Sequence, residues 1–296
     1  MRPCFVVEIQ TPKKVLLNGL WFGPYSAKAS KGKPKKPKRC VVWVHGLGSS
    51  VFSKHGIVEE LADEKTAVLM FNNRGHDKVA SVRKVGGRYM KAGAVHERFT
   101  DCTDDIQGAI NFARRRGVKQ IFLAGHSTGC QKSVYWARKK GRGVKGIILL
   151  GPMSDYDGTR ISYSRKKLAR ALALARSYVR KGKGNELLPS SVWGWPWLAD
   201  AQRFISLYQG KGAEEIFTYW NTVQKPHTLA SVRIPILVLL AEKEEFTRMP
   251  AKKIAVWFER YMRKGRVAII PHVRHSFRGG EKRVAQEMRK FLDGHI

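Results

Sequence analysis

The chain has 296 residues and an ordinary 43% hydrophobic content, enough for a sizeable core in one large domain, with room for an insertion. Its four cysteines (Cys4, Cys40, Cys102, Cys130) are scattered without C-x-x-C spacing, which argues against a zinc site or a disulfide framework and fits reduced thiols in a cytoplasmic protein. Lys and Arg total 56 against 23 Asp and Glu, a formal net charge of +33 that attracts polyanions, while no run approaches a membrane span and residues 1–8 read as a strand rather than a signal peptide.

In chain order the pattern is β first, then alternating β and α. Strands at Phe5–Gln10 and residues 15–23 should pair as an antiparallel start, and residues 40–45 enter a parallel part. Between them runs the densest basic stretch, residues 28–39. It has the look of a nuclear localisation signal, but a solvated hairpin loop is the preferred reading. Ile57, Val58, Leu61 and Ala62 share one helix face, and Thr66–Phe71 is the next strand. Residues 80–99, basic and glycine-bearing, read as loop. Asp101, Asp104 and Asp105 gather at the start of a helix lined by Ile106, Ala109, Ile110 and Ala113, where carboxylates favour the helix dipole.

The apolar run 120–124 leads into Gly125-His126-Ser127-Thr128-Gly129 and then a helical stretch from Cys130 to Lys140. Strand, G-x-S-x-G turn and helix are the order a nucleophile elbow requires, with a strained serine whose hydroxyl is lifted above the sheet edge. The flanking glycines suit a turn in which strand and helix approach too closely for a β-carbon. Ser127 is therefore the candidate nucleophile, and the amide of the next residue, Thr128, a candidate oxyanion donor.

After the strand Gly146–Leu150 the alternation stops. Residues 153–227 hold no convincing strand. They offer a basic amphipathic helix at 165–181, the loop Trp193-Gly194-Trp195-Pro196-Trp197, and helical stretches at 199–208 and 214–221. The apolar stripe Leu168, Leu172, Ala175 and Val179 should pack on the core rather than on an anionic membrane surface. The strand 234–241 follows, with Glu244 and Glu245 in the loop beyond it. A short strand at 266–270 precedes a loop holding His272 and His275, and a final helix at 281–292 buries Val284, Met288, Phe291 and Leu292. The sheet should be mostly parallel and doubly wound, with each candidate just past the carboxyl end of a strand. Serine, acid and histidine then fall in the chain order of a serine hydrolase on such a sheet.

With the motifs Val44-His45-Gly46-Leu47-Gly48, Asn72-Asn73-Arg74-Gly75-His76-Asp77, Gly125-His126-Ser127-Thr128-Gly129-Cys130 and His275-Ser276-Phe277, the chain resembles the serine α/β-hydrolases over nearly its whole length. The resemblance implies a hydrolase core at 1–152 and 228–296, with a helical cap at 153–227 over the serine. It implies His275 as the base, with His272 as a decoy, and Leu47 as the second oxyanion amide. By alignment to the family's acid loop it implies Glu244 as the acid. Here Glu242 stands at the usual strand-end glycine and the acid is Glu rather than Asp, so Glu245, and after it Glu242, remain alternatives. His45, Arg74 and His76 read as structural neighbours of the site. The implied activity is cleavage of small carboxylic esters through a Ser-His-Glu triad, without metal or cofactor. Thioesterase, amidase, lysophospholipase and acyltransferase share the acyl-enzyme. The rival class is a basic protein on a hydrolase scaffold that binds nucleic acid or an anionic surface by non-specific charge; no nucleic-acid-binding motif accompanies the charge.

Overall fold

A computed structural model describes residues 3–23, 36–192 and 198–294. The strands are β1 (Phe5–Gln10), β2 (Leu16–Phe22), β3 (Arg39–Val44), β4 (Thr66–Phe71), β5 (Ala80–Arg83), β6 (Tyr89–Ala92), β7 (Gln120–His126), β8 (Gly146–Leu150), β9 (Ile236–Ala241) and β10 (Gly265–Ile270). The helices are α1 (His55–Leu61), α2 (Cys102–Arg115), α3 (Thr128–Lys140), α4 (Asp155–Ser162), α5 (Arg165–Arg180), α6 (Ala201–Tyr208), α7 (His227–Ala230), α8 (Ala251–Tyr261) and α9 (Glu281–Asp293).

Eight strands form one sheet in the order β1-β2-β4-β3-β7-β8-β9-β10. β2 runs antiparallel to both β1 and β4, and every other pairing is parallel. The parallel strands β3, β4, β8 and β9 are buried along their whole length, because helices cover both faces. One face packs residues of α2, α3 and α8 (Ile106, Val134, Phe258), and the other packs those of α1 and α9 (Ile57, Leu61, Met288, Phe291). From β3 the chain moves outward to β4, then returns to place β7 on the other side of β3. That reversal opens a crevice at the carboxyl ends of β3 and β7, where an open α/β sheet binds its ligands. This is the mostly parallel α/β-hydrolase architecture expected from the sequence.

Several local expectations are corrected. Residues 80–99 are not all loop: β5 and β6 form an antiparallel hairpin closed by Gly86 and Gly87, both at positive φ. Residues 214–221 form no helix. The helix α8, which the sequence reading passed over, starts after Pro250 and buries Ala251, Ile254 and Phe258 on one face. Arg39 is no exposed loop residue: its guanidinium is buried and binds Thr66 Oγ1 at 2.9 Å and Asp293 Oδ1 at 2.6 Å. The aspartates at the start of α2 do more than meet its dipole. Arg74 bonds to Asp105 at 2.7 Å, pairs with Asp101 at 3.2 Å and also binds Asp104. The tryptophan loop 193–197 and residues 28–35 lie outside the described residues.

The segment between β8 and β9 is pinned by buried charge. α5 and α6 pack through Leu168, Leu172, Phe204 and Leu207. Arg203 on α6, fully buried, binds Glu214 at 2.6 Å and Glu97 at 2.7 Å, and Glu97 also pairs with the buried Lys132 of α3. Asp200 caps α6 and accepts from Arg98 and His96. Arg203 and Lys132 balance Glu97 and Glu214, two charges of each sign. Removing one partner of such a set strands the other in a low dielectric. Arg203→Met leaves Glu214 without a cation, so it should lower stability by about 3–5 kcal/mol. Denaturant midpoints check this. Adding Glu214→Gln should recover part of the loss.

Candidate active site

β7 runs straight into the turn that carries Ser127, and α3 starts at the next residue. Ser127 has φ 54° and ψ −126°, a conformation that costs a non-glycine residue about 1–3 kcal/mol. The elbow needs its glycines for space. A β-carbon on Gly125 would lie 2.3 Å from Gly129 O, and one on Gly129 would lie 2.2 Å from Val44 O. Across the crevice, a β-carbon on Gly46 would meet Ser127 Cβ at 2.9 Å, so the loop after β3 lies directly against the serine.

Glu244 and Glu245 follow β9, and His275 lies in the loop after β10. The structure brings Glu244 and His275 together: Glu244 Oε2 is 2.8 Å from His275 Nδ1, and both side chains are about nine-tenths buried. The other oxygen, Oε1, accepts the Phe246 N–H at 3.2 Å. Glu245 meets the same histidine differently, accepting its backbone N–H at 2.9 Å. Glu242 accepts the backbone N–H of His272, whose side chain is 83% exposed and points away from a buried site. An ionised carboxylate can only accept, so Glu244 holds the proton on Nδ1 and leaves the Nε2 lone pair free. Among the described residues Nε2 has no hydrogen-bond partner.

Ser127 and His275 line one cavity of about 310 Å³, with Leu47, Met153 and Phe246 also on its wall. Ser127 Oγ is directed at Met153 Sδ, 3.8 Å away, rather than at the imidazole. A change of staggered χ1 well is what would swing it to another side of the cavity. Two aromatic side chains flank the imidazole, and one of them also holds the backbone of His275. Phe246 meets it edge-on at 4.8 Å, His126 packs at 5.1 Å between ring centroids, and His126 Nε2 bonds the His275 carbonyl at 3.0 Å. Burial, aided by Lys54 and His275, drives the His126 pKa well below its usual value, so His126 stays neutral.

Thr128 is the first residue of α3, so its N–H has no intrahelical acceptor. Leu47 lies in the turn after β3, and among the described residues its N–H has no protein acceptor either. His45 supports that turn. Its Nδ1 bonds Gly46 O at 2.9 Å, its Nε2 accepts the Asn73 N–H at 3.2 Å, and burial lowers its pKa to about 3. Arg74 and His76 do not line the cavity; Arg74 is spent on the α2 aspartates. The sequence reading missed Phe246, Met153 and Lys54 as members of this site; none carries a motif. Among the described residues no cluster of His, Cys, Asp or Glu could hold a metal, and no helix is long and apolar enough to cross a membrane.

The sequence matches the Hydrolase_4 family (serine aminopeptidase, S33) over residues 35–282. Among curated proteins none matches it. Solved structures share its fold at low identity. Est1E from Butyrivibrio proteoclasticus, with ferulic acid bound, superposes with a TM-score of 0.66 at 15% identity, covering 98% of this chain and 99% of that one. The siderophore hydrolase EstB from Aspergillus fumigatus gives 0.70 at 13% identity over 100% and 99%. A soluble variant of monoglyceride lipase from Saccharomyces cerevisiae, in complex with a substrate analog, gives 0.68 at 16% over 99% and 96%.

Proposed function

The chain belongs to the serine aminopeptidase, S33, family of α/β-hydrolases, and from that premise we propose that it cleaves carboxylic esters through Ser127, His275 and Glu244. The observation that carries the reading is the 2.8 Å contact of Glu244 with His275 Nδ1, in a loop that shares one cavity with the strained serine. In this reading His275 Nε2 takes the proton of Ser127 as its oxygen attacks the ester carbonyl. The Leu47 and Thr128 amides hold the developing oxyanion; one such donor is worth about 3 kcal/mol of barrier. The imidazolium, steadied by Glu244, then protonates the leaving alcohol. Water enters, loses its proton to the same Nε2, and releases the acid. No step calls for a cofactor.

Residues 153–227 act as the cap. Thr159 and Tyr163 from the α4 region and Tyr208 from α6 line the cavity above the serine. The monoglyceride lipase among the similar solved structures supports an ester over a peptide bond as substrate.

The test pairs turnover with labelling. p-Nitrophenyl esters from acetate to long chains should be hydrolysed, with a chain-length optimum set by the cavity, and a fluorophosphonate should add its mass to the Ser127 peptide. No turnover of any ester together with no label on Ser127 would sink the reading. The basic stretch 28–39 has no role in these steps. Deleting residues 28–35, which stops short of the buried Arg39, should leave ester turnover within about a factor of two, because this run of Lys, Gly and Pro offers almost no apolar side chain to a core. A large loss in the same assay would give that segment a part in shaping the site.

A further inference from the structure

The cavity beside Ser127 contains a cation that ester hydrolysis does not consume. Lys54 lines it, half-buried, and is the only Lys or Arg to do so among the described residues. It is held there at some cost, with φ 64° in the left-handed region. Its Nζ donates to Ser276 O at 2.7 Å. Ser276 directly follows His275, so the ammonium sits on the histidine side of the cavity. That is the side from which a leaving alcohol receives its proton.

An ammonium has three donors, and the Ser276 carbonyl takes one. Among the described residues no carboxylate lies within ion-pair distance of Nζ. Burial lowers the Lys54 pKa, while the more distant Glu281 and Glu245 oppose that and favour the charged form. The cavity's own carboxyl, Asp155, lies on the α4 side, accepts from the Gln131 amide at 3.0 Å, and has its pKa raised well above the usual value by burial. That disfavours its charged form, and no ion pair joins it to Lys54 among the described residues. The overall +33 draws anions toward the protein, but among the described residues only Lys54 brings a Lys or Arg charge to the cavity that holds Ser127 and His275.

We propose that Lys54 is a specificity residue and that the site takes esters whose alcohol part carries an anionic group, a carboxylate or a phosphate. The inference rests on the reading of Ser127 and His275 as the hydrolytic pair. Bound this way, the anion meets Nζ while the ester carbonyl faces Ser127 and the bridging oxygen faces His275. Lys54 touches substrate and takes no proton from it.

The tether to Ser276 gives Lys54 a second, purely structural role, so the test must read preference rather than rate. Three butyrate esters serve: those of glycerol, of 3-hydroxypropanoate and of glycerol 3-phosphate. The wild type should favour an anionic ester over the neutral one by about tenfold in kcat/KM, the size of one charge-assisted hydrogen bond. Lys54→Met should bring that ratio to about one through KM, whatever happens to kcat, and Lys54→Arg should keep it. If Lys54→Met fails to fold, Lys54→Gln reads the same ratio. Which anionic ester leads tells carboxylate from phosphate. A ratio that survives Lys54→Met, or a wild type indifferent to charge, overturns the inference and leaves the ester reading standing. Failure on every ester, with no fluorophosphonate label on Ser127, removes both.

Discussion

Ser127→Ala should fold as the wild type does and lose ester turnover by about six orders of magnitude, the loss seen when a triad nucleophile is deleted. The hydroxyl removed makes one hydrogen bond, to Met153 Sδ at 3.8 Å, and alanine keeps the β-carbon, so little packing goes with it. What goes is the hydroxyl at the strained position of the elbow, between the Gly46 loop and the His275 loop. The backbone strain remains, because alanine at φ 54° is as unfavourable as serine. Ser127→Gly should therefore be equally inactive yet more stable than Ser127→Ala by about 1 kcal/mol. Thermal melts and kcat/KM on a p-nitrophenyl ester check both statements. The same variant separates the two functional classes the sequence allows. A protein whose role is to hold polyanions through its charge would keep its salt-dependent affinity in Ser127→Ala and would show no turnover to lose. Activity that persists in Ser127→Ala would move the nucleophile elsewhere.

How far the chain discloses this arrangement depends on the range of the forces involved. Buried parallel strands are continuous apolar runs, and β4 and β8 could be read to the residue. The elbow is legible because it is a local steric problem: two glycines and a serine solve it within five residues. The hairpin β5–β6 was hidden although Gly86-Gly87 marks its turn, because each strand has four residues, three of them not buried, and carries no alternation to count. The Arg74 cluster and the Glu97–Lys132–Arg203–Glu214 set were hidden for another reason. Arg203 reaches Glu97 across 106 residues, and a charge in sequence does not announce whether it will face water or another charge. In a chain with 56 Lys and Arg that ambiguity is widest, and the buried cations Lys132 and Arg203 look like any others. Lys54 belongs to the same class, since only the fold shows which basic residue lies beside the serine.

Glu244→Gln should lower kcat by about 10⁴-fold with little change in KM, the loss known for a triad acid turned into its amide. The argument is one of donors and acceptors. Both oxygens of Glu244 are engaged, Oε2 with His275 Nδ1 and Oε1 with the Phe246 N–H. Glutamine has one oxygen and one NH₂, so one of these two donors must face a donor. If the amide keeps Nδ1–H, it loses Phe246 and the loop shifts. If it keeps Phe246, its NH₂ faces Nδ1 and drives the ring to the tautomer with hydrogen on Nε2, which cannot accept the serine proton. Either way the charge that steadies the imidazolium is gone. Glu245→Gln is a different experiment. Its oxygen accepts a backbone N–H, which a glutamine oxygen can also do, so the loss should stay within about tenfold. Glu242→Gln touches only the exposed His272 loop and should be close to silent. The three variants assayed side by side on one ester decide the acid. A crippled Glu245→Gln beside an active Glu244→Gln would reverse the assignment, and would mean that the 2.8 Å contact positions the histidine without taking part in its chemistry.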